Sequence, residues 1–287
     1  MIKLIDPGFY TNFQDKGRFG FRHLGVPLSG PMDPKAFALA NALLPLTNEQ
    51  TVIECTLTGP TLEITLPVRF VVTGAAVPID LNEQKLAMNQ VHLAPKNSIL
   101  KLGKVTSGMR FYLRFEACFD LPTYFKSISF YAPLGSPARL KKGEVFMFMA
   151  APKEIASPQH ARVTISTTYI QQLELKVTPG PDWDQLTQPQ QKQLLAEKHL
   201  VLAQDRMGYR LSSSLNVAAP QLLSQLVFPG MVQLTPSGEL LIAMADCQVT
   251  GGYLQILQLS TEAIAVLAQK REGESLTFQS TLLQTGP

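Results

Sequence analysis

Two short motifs place pairs of arginines around a glycine and an aromatic residue. Residues 18–22 read Arg-Phe-Gly-Phe-Arg, and residues 206–210 read Arg-Met-Gly-Tyr-Arg. A Gln-Asp pair shortly precedes each motif, at Gln14-Asp15 and at Gln204-Asp205. Guanidinium groups form forked hydrogen bonds with phosphate and carboxylate groups. The motifs therefore predict anion recognition; the alternative is that each arginine pairs with the nearby aspartate and fixes a turn.

A second set of polar residues lies between positions 233 and 253. Amide and hydroxyl groups of this kind suit the recognition of a small cyclic amide. They would cluster if residues 236–238 formed one hairpin turn and residues 250–252 formed another. The alternative is hydrogen bonding within the fold alone. The set comprises Gln233, Asp246, Gln248, Thr250 and Tyr253.

The segment 17–30 is rich in glycine and precedes a predicted helix. Backbone N–H groups of such a loop, together with the start of the helix, can bind an anion. The alternative is a long structural turn in which Ser29 and Asp33 act as caps.

Several motifs of independent enzymes are absent. The sequence has no Gly-x-x-x-x-Gly-Lys-Ser/Thr and no Gly-x-Ser-x-Gly. Its four histidines and three cysteines are dispersed, so no zinc site is predicted. The biotin-acceptor pattern Ala-Met-Lys-Met is also missing, because residues 86–89 read Leu-Ala-Met-Asn. Basic residues are scattered, which argues against nucleic-acid binding.

The composition favours a globular protein with a large core. The chain has 287 residues, of which 45% are hydrophobic and 16% are charged, with a net charge of +3. Such low charge suits either two well-filled domains or a surface that a partner covers. The start lacks a signal-peptide pattern, and no stretch of about 20 apolar residues is present. A cytoplasmic protein is expected.

Strand patterns dominate the chain. Residues 68–73 are rich in β-branched side chains, residues 109–115 alternate as in a half-buried strand, and residues 240–245 form an apolar run typical of a buried strand. Three helices are predicted: residues 33–44, residues 188–199 and a segment that begins at Ser260. The pattern predicts a mainly β protein with few helices.

The arginine motif is one of three features that recur in the same order. Residues 29–32 have a counterpart at 229–231, and residues 73–75 have one at 250–252. The first half is longer by about the length of the helix at 33–44. A duplicated domain with a helical insertion explains these matches. We expect domains at 1–160 and 161–287, with a linker near 150–166.

The residues quoted above resemble a known family. Residues 11–33, TNFQDKGRFGFRHLGVPLSGPMD, are similar to the opening signature of the 5-oxoprolinase C-subunit family. That family is also called KipA, allophanate hydrolase subunit 2 or biotin-dependent carboxyltransferase-like. Residues 179–181, 205–211 and 246–253 resemble its second half. The resemblance implies two cyclophilin-like β-barrel domains related by a pseudo-twofold axis.

The resemblance also implies an activity that needs other chains. Members of this family work with KipI-like (B-type) and LamB/YcsF-like (A-type) homologues in the ATP-dependent opening of 5-oxo-L-proline to L-glutamate. ATP and Mg²⁺ would be shared with the KipI-like or LamB/YcsF-like partner, and this chain would be inactive alone. Phosphorylation of the lactam oxygen builds up negative charge, which arginines and N–H donors can stabilise.

The resemblance and the motifs together assign residues to a site. Residues 18–33 and 205–253 are expected to face one pocket that a second polypeptide completes. The catalytic set is Arg18, Asp15, Arg206 and Asp246. The substrate-binding set is Gln14, Ser29, Tyr209, Arg210, Gln233, Gln248, Thr250 and Tyr253.

Two other functions stay open. One is a carboxyltransferase component of a urea- or allophanate-type system, in which biotin would arrive on another protein. The other is a non-catalytic regulatory protein that binds a KipI-like kinase inhibitor. Departures from the family pattern favour the second: residues 120–125 keep only Thr123 and Tyr124 of a usual Gly-Ser-Arg-Ser-Thr-Tyr stretch, and Cys247 replaces a usual basic residue.

Overall fold

The chain forms two compact units. The computed structural model describes residues 1–46, 50–136, 139–150, 166–215, 217 and 222–281. Met1–Gly17 and Asp33–Ile170 form the first unit, whereas Arg18–Met32 and Gln171–Pro287 form the second. The expected domain boundary at 160/161, and residues 151–165 of the expected linker, lie outside the described residues. The chain thus enters the second unit at Arg18 and returns to the first at Asp33.

The strands of the first unit are mostly antiparallel neighbours. Their bounds are β1 Ile2–Asp6, β2 Tyr10–Gln14, β3 Val52–Thr56, β4 Thr61–Ile64, β5 Val68–Ala76, β6 Ile79–Leu81, β7 Gln84–Leu86, β8 His92–Ala94, β9 Ser98–Leu102, β10 Ser107–Phe115, β11 Ala117–Phe119, β12 Val145–Phe146 and β13 Phe148–Ala150. One sheet has the order β12-β1-β4-β9-β6-β7, and a second has the order β2-β3-β10-β5-β8. Strands β11 and β13 pair separately. Their inward apolar side chains share one core that contains Leu4, Phe70 and Phe111.

Helix α1, Pro34–Leu43, forms where the sequence predicts it. The Asp33 carboxylate accepts hydrogen bonds from the backbone N–H groups of Lys35 (3.0 Å) and Ala36 (2.9 Å), and Pro34 occupies the first turn. These contacts satisfy N–H groups that have no partner inside the helix. The buried face of α1 packs on β5 and β10.

Strand β10 is buried on both faces, so the prediction of a half-buried strand is wrong. All of residues 109–115 are buried, because β10 is central in its sheet and α1 covers the outer face. Arg114 is accommodated there because its Nε donates to the Leu44 carbonyl (2.7 Å) and its Nη1 to the Thr51 carbonyl (3.1 Å). A sequence alternation cannot reveal a helix that packs on the polar face.

The second unit contains a closed barrel. Its strands are β14 Glu174–Pro179, β15 His199–Gln204, β16 Gly208–Leu211, β17 Gln225–Leu226, β18 Met231–Leu234, β19 Leu240–Ala243, β20 Thr250–Gly251, β21 Leu254–Leu259 and β22 Ser275–Ser280. The barrel order is β14-β21-β18-β19-β16-β15-β22, and β22 closes it by pairing in parallel with β14. Strands β17 and β20 form a separate two-stranded ribbon.

The two remaining predicted helices are confirmed. Helix α2 spans Gln188–Ala196 and ends before the predicted His199, which begins β15. Helix α3 spans Thr261–Leu267, and the Ser260 hydroxyl accepts from the backbone N–H of Ala263 (3.1 Å). With these three α-helices in the described ranges, the prediction of a mainly β protein with few helices is also confirmed. None of the described helices has the length and apolar character needed to cross a membrane.

Candidate functional site

A row of side chains crosses the outer face of the barrel. Arg210 on β16 pairs with Leu241 on β19, and Leu241 pairs with Gln233 on β18. Their neighbours along the strands, such as Tyr209 and Ile242, are fully buried inside the barrel. Because successive side chains on a strand point to opposite faces, the row points outward.

This row forms the floor of a cavity of about 290 Å³, which we call the barrel pocket. Its volume is close to the lower limit for small-ligand sites, roughly 300 Å³. The pocket is lined by Ala203, Gln204, Asp205, Met207, Gly208, Tyr209, Arg210, Gln233, Leu241, Ile242, Ala243 and Gln248. Arg210, Gln233 and Gln248, which were predicted to bind substrate, are brought together here. Tyr209, also predicted, borders the pocket, but its side chain is buried inside the barrel.

Gln233 is the polar side chain that marks the pocket most clearly. It is only 1% exposed, and its Nε2 has no hydrogen-bond partner among the described residues. Gly251 covers it: a Cβ there would lie 3.2 Å from that Nε2 and 3.6 Å from the Nε2 of Gln248. A buried donor without a partner costs about 1–3 kcal/mol. A ligand that accepts a hydrogen bond from Gln233 would recover that cost.

The other pocket residues differ in how exposed they are and in which groups they already contact. Tyr209 is fully buried, and its hydroxyl donates to the Lys270 carbonyl (3.2 Å). Arg210 is half-exposed and lies 3.9 Å from the Glu239 carboxylate. Asp205 accepts from the backbone N–H groups at 207 (2.7 Å) and 208 (3.0 Å) and thereby shapes the turn before β16. Arg210 is therefore the pocket cation best placed to meet an anionic group.

Arg206 and Asp246, both predicted to be catalytic, form a buried ion pair. Nε of Arg206 lies 2.8 Å and Nη2 lies 3.2 Å from the Asp246 carboxylate oxygens, and Nη2 also donates to the Gly30 carbonyl (2.6 Å). The alternative expectation, in which Arg206 pairs with Asp205, is wrong, because Asp205 caps its own turn. Neither member of the pair lines the barrel pocket.

The segment Arg18–Met32 packs against the loop that carries Asp246. The Ser29 N–H donates to the Ala245 carbonyl (2.9 Å), and the Ser29 hydroxyl is buried. Nη2 of Arg22 donates to the Val227 and Val249 carbonyls. Residues 18–32 therefore contact the 205–253 stretch, but no residue of 18–33 lines the barrel pocket, so this cavity is not the shared pocket that the sequence predicts.

Cys247 and Arg18 also lie in this part of the second unit. Burial raises the pKa of the Cys247 thiol to about 11, although the Arg22 guanidinium opposes the rise. The thiol is thus protonated at neutral pH. Arg18 is fully buried, and its backbone N–H donates to the Leu28 carbonyl (2.7 Å).

The remaining predicted residues lie outside the pocket. In the first unit, Asp15 accepts from the Ser127 and Ser129 hydroxyls (2.6 and 2.7 Å) and is partly buried. Gln14 is fully buried, and its Nε2 donates to Asn12 Oδ1 (2.9 Å).

In the second unit, Thr250 on β20 of the ribbon and Tyr253 just after it are exposed. The hairpin turn expected at 236–238 is confirmed, since Thr235 and Glu239 close it. Residues 250–251 form β20 instead of the expected second turn, because they pair with β17.

Sequence reasoning did not single out Gln204, which lines the pocket. The signal was present in the repeated Gln-Asp pair, of which the first copy supplied Gln14 and Asp15 as candidates and the second copy supplied none. No group of three or more His, Cys, Asp or Glu side chains that could hold a metal occurs among the described residues. The arrangement can bind a small polar molecule through amides and one cation.

The sequence matches the family described as "Carboxyltransferase domain, subdomain A and B" over residues 24–280. The chain belongs to this family. It is also similar to the C subunit of 5-oxoprolinase from Haemophilus influenzae, with 29% identity over 99% of this chain and 92% of that protein. The predicted resemblance to the 5-oxoprolinase C-subunit family is thereby confirmed.

Two solved structures share the fold. The crystal structure of TTHA0988 superposes with a TM-score of 0.85 at 24% identity over 97% of this chain. The Kluyveromyces lactis urea amidolyase superposes with a TM-score of 0.86 at 27% identity over 96% of this chain. This family member spans only 55% of the first chain and 18% of the second, so those proteins contain further segments.

Proposed function

We propose that this chain is the C subunit of an ATP-dependent 5-oxoprolinase, which opens 5-oxo-L-proline to L-glutamate together with KipI-like (B-type) and LamB/YcsF-like (A-type) homologues. The observation that carries the proposal is the similarity to the Haemophilus influenzae 5-oxoprolinase protein over nearly the full length of both chains. The barrel pocket supports it, because its polar groups match those of the substrate.

5-Oxoproline carries a lactam and a carboxylate. The Nε2 of Gln233 can donate to the lactam oxygen, and the exposed Gln248 amide can accept from the lactam N–H. Arg210 can pair with the carboxylate. Since Gln233 is buried, its hydrogen bond would form away from water, where it discriminates strongly between ligands.

The chemistry needs groups that this chain does not supply alone. A lactam is a weak electrophile, so transfer of the ATP γ-phosphoryl group to its oxygen would activate the ring carbon for attack by water. The C–N bond would then break to give γ-glutamyl phosphate, and a second water would hydrolyse this acyl phosphate to glutamate and phosphate; ADP is the other product of the phosphoryl transfer. Mg²⁺ would be held by the ATP phosphates together with one or two carboxylates, and these ligands would be shared with a partner protein.

The proposal is tested by reconstituting the chain with its KipI-like and LamB/YcsF-like homologues. ADP and glutamate should form together, and only when ATP and 5-oxoproline are both present. A folded complex that releases ADP without 5-oxoproline, or that never forms glutamate, would contradict the proposal. Tight pairing without any turnover would favour the regulatory alternative.

Variants of the pocket locate the substrate. Gln233→Leu keeps the size of the side chain but loses the donor, so KM for 5-oxoproline should rise about five- to tenfold. Arg210→Met should raise it about tenfold or more, because a charge-assisted hydrogen bond is lost. Gln279→Leu, an exposed position on β22 away from the pocket, is the matched control and should leave KM unchanged.

A second function is supported by the family description and by the likeness to urea amidolyase. In that case the chain would be a carboxyltransferase component, and biotin would arrive on another protein. A carboxylated biotin carrier should then lose its carboxyl group to urea in the presence of the chain and its partner. Carboxyl transfer without glutamate formation would favour this function over the first.

A further inference from the structure

A second cavity, of about 260 Å³, lies in the first unit. We call it the basic pocket. One wall is the turn at Pro7, Gly8 and Phe9, and the other is the segment from Arg139 to Lys142. Thr11 lies between the two walls.

Backbone contacts fix both walls. Gly8 has a φ of +70°, and a Cβ at this position would lie 2.3 Å from the Thr58 carbonyl, so the turn requires glycine. The Phe9 N–H donates to the same carbonyl (3.1 Å). On the opposite wall, the Leu140 N–H donates to the Thr11 carbonyl (2.8 Å). The pocket is therefore preformed, which lowers the entropic cost of binding.

The pocket collects positive charge. Arg139, Lys141 and Lys142 line it with exposed side chains, and none of the three pairs with a carboxylate in the part of the chain that the structure describes. The nearby acids are Asp6 and Glu144. Both accept from backbone N–H groups, of Gly8 (2.8 Å) and of Lys141 (2.9 Å). The cations thus outnumber the acids, which favours an anionic ligand.

An aromatic ring stands beside these cations. Phe9 lines the same pocket and is 61% exposed, although it is a large apolar side chain held on a rigid turn. An exposed aromatic face offers stacking to a planar base, worth about 1–3 kcal/mol per base. Lysine and arginine bind phosphate groups through charge-assisted hydrogen bonds.

We propose that the basic pocket binds a nucleotide, with its phosphates at Arg139, Lys141 and Lys142 and its base against Phe9. The choice of ATP as the first probe rests on the proposed function, because an ATP-dependent 5-oxoprolinase must hold that nucleotide. The small volume and the combination of one ring with three cations favour a mononucleotide over a polymer.

Binding is measured by isothermal titration calorimetry on the full chain, without turnover. ATP and ADP should bind, adenosine should bind more weakly because it lacks phosphates, and tripolyphosphate more weakly because it lacks a base. Affinity for ATP should fall as salt is added, since exposed charges are screened. Equal affinities for ATP and tripolyphosphate would refute a role for Phe9. Saturable binding of adenosine that equals that of ATP would refute a role for the cations.

Variants assign the contacts. Lys141→Gln with Lys142→Gln should weaken ATP binding about tenfold or more, whereas the matched control Lys96→Gln, an exposed lysine away from the pocket, should not. Phe9→Leu keeps an apolar side chain but loses the ring, and should weaken ATP binding about fivefold while leaving tripolyphosphate binding unchanged. Unchanged ATP affinity in both pocket variants would overturn the proposal.

The two proposals can fail separately. If the reconstituted complex forms glutamate and the pocket variants keep their ATP affinity and turnover, the nucleotide lies elsewhere and the proposed function stands. If no glutamate forms but the lysine variants lose ATP binding, the nucleotide site stands and the proposed function fails. The unfolding midpoint of each variant is measured alongside, so that loss of fold is recognised.

Discussion

Removing one member of the buried Arg206–Asp246 pair should strongly destabilise the second unit. The two side chains are 9% and 8% exposed, and Arg206 makes three short contacts, two with Asp246 and one with the Gly30 carbonyl. Arg206→Met would remove the cation, and the Asp246 carboxylate would remain nearly buried without it. Because a buried charge without its partner has lost most of its hydration, the folded state should be strongly destabilised.

The expected magnitude follows from this geometry. Removing one member of a buried pair costs about 3–5 kcal/mol. For a unit of this size, each kcal/mol lowers Tm by roughly 3 °C, so a decrease of about 10 °C or more is expected. The pair of Arg210 with Glu239 is the matched comparison: its side chains are 49% and 37% exposed and 3.9 Å apart. Arg210→Met should cost below about 1 kcal/mol.

The single tryptophan makes the measurement local. Trp183 lies in the second unit, so its fluorescence during urea unfolding reports on that unit. Arg206→Met and Asp246→Leu should each lower the midpoint, and the double variant should lose less than the sum of the single variants, with a coupling of about 2 kcal/mol or more. A cost below about 1 kcal/mol for Arg206→Met, or additive single variants, would refute the reasoning.

Three further outcomes are expected. Burial and nearby carboxylates raise the pKa values of Tyr112 and Tyr169 above the usual value, so both stay protonated in the folded state while unfolded tyrosines ionise. The stability of the first unit should therefore fall above about pH 10, and Tyr169→Phe should reduce that fall when stability is measured by urea unfolding. Because its pKa is about 11, Cys247 should react with iodoacetamide at pH 8 on the order of a hundredfold more slowly than an unfolded thiol, as mass spectrometry can show. Gly251→Ala places a Cβ 3.2 Å from Gln233 Nε2, so the affinity for 5-oxoproline should fall severalfold in calorimetry; unchanged affinity would argue against the barrel pocket.

The helices were predictable because their signals are local. Asp33 followed by Pro34 marks the start of α1, and Ser260 marks the start of α3; each residue accepts from an N–H group at most three positions away. Such caps act over a single turn, so the sequence contains all the information required. The hairpin turn closed by Thr235 and Glu239 was predictable for the same reason.

Contacts across long sequence separations were not predictable in this way. The repeated arginine motif suggested that residues 18–22 and 206–210 belong to separate domains, but both lie in the second unit. The partner of Arg206 is 40 positions away, whereas the nearby Asp205 caps a turn. Proximity in the sequence pointed to the Asp205 carboxylate, because the closed barrel, which brings Asp246 next to Arg206, is not visible in the local sequence.

The barrel pocket shows why a site is harder to predict than its polar residues. Gln233 occupies an outward position of β18, where the alternation along the strand would predict an exposed side chain. Gly251, in the separate ribbon, covers it and leaves a buried donor without a partner among the described residues. The residue type was visible in the sequence, but the burial that makes it selective depends on a ribbon formed by residues 225–226 and 250–251. A polar side chain that faces out of a barrel and is nevertheless buried therefore indicates binding more strongly than the polar residue types do alone.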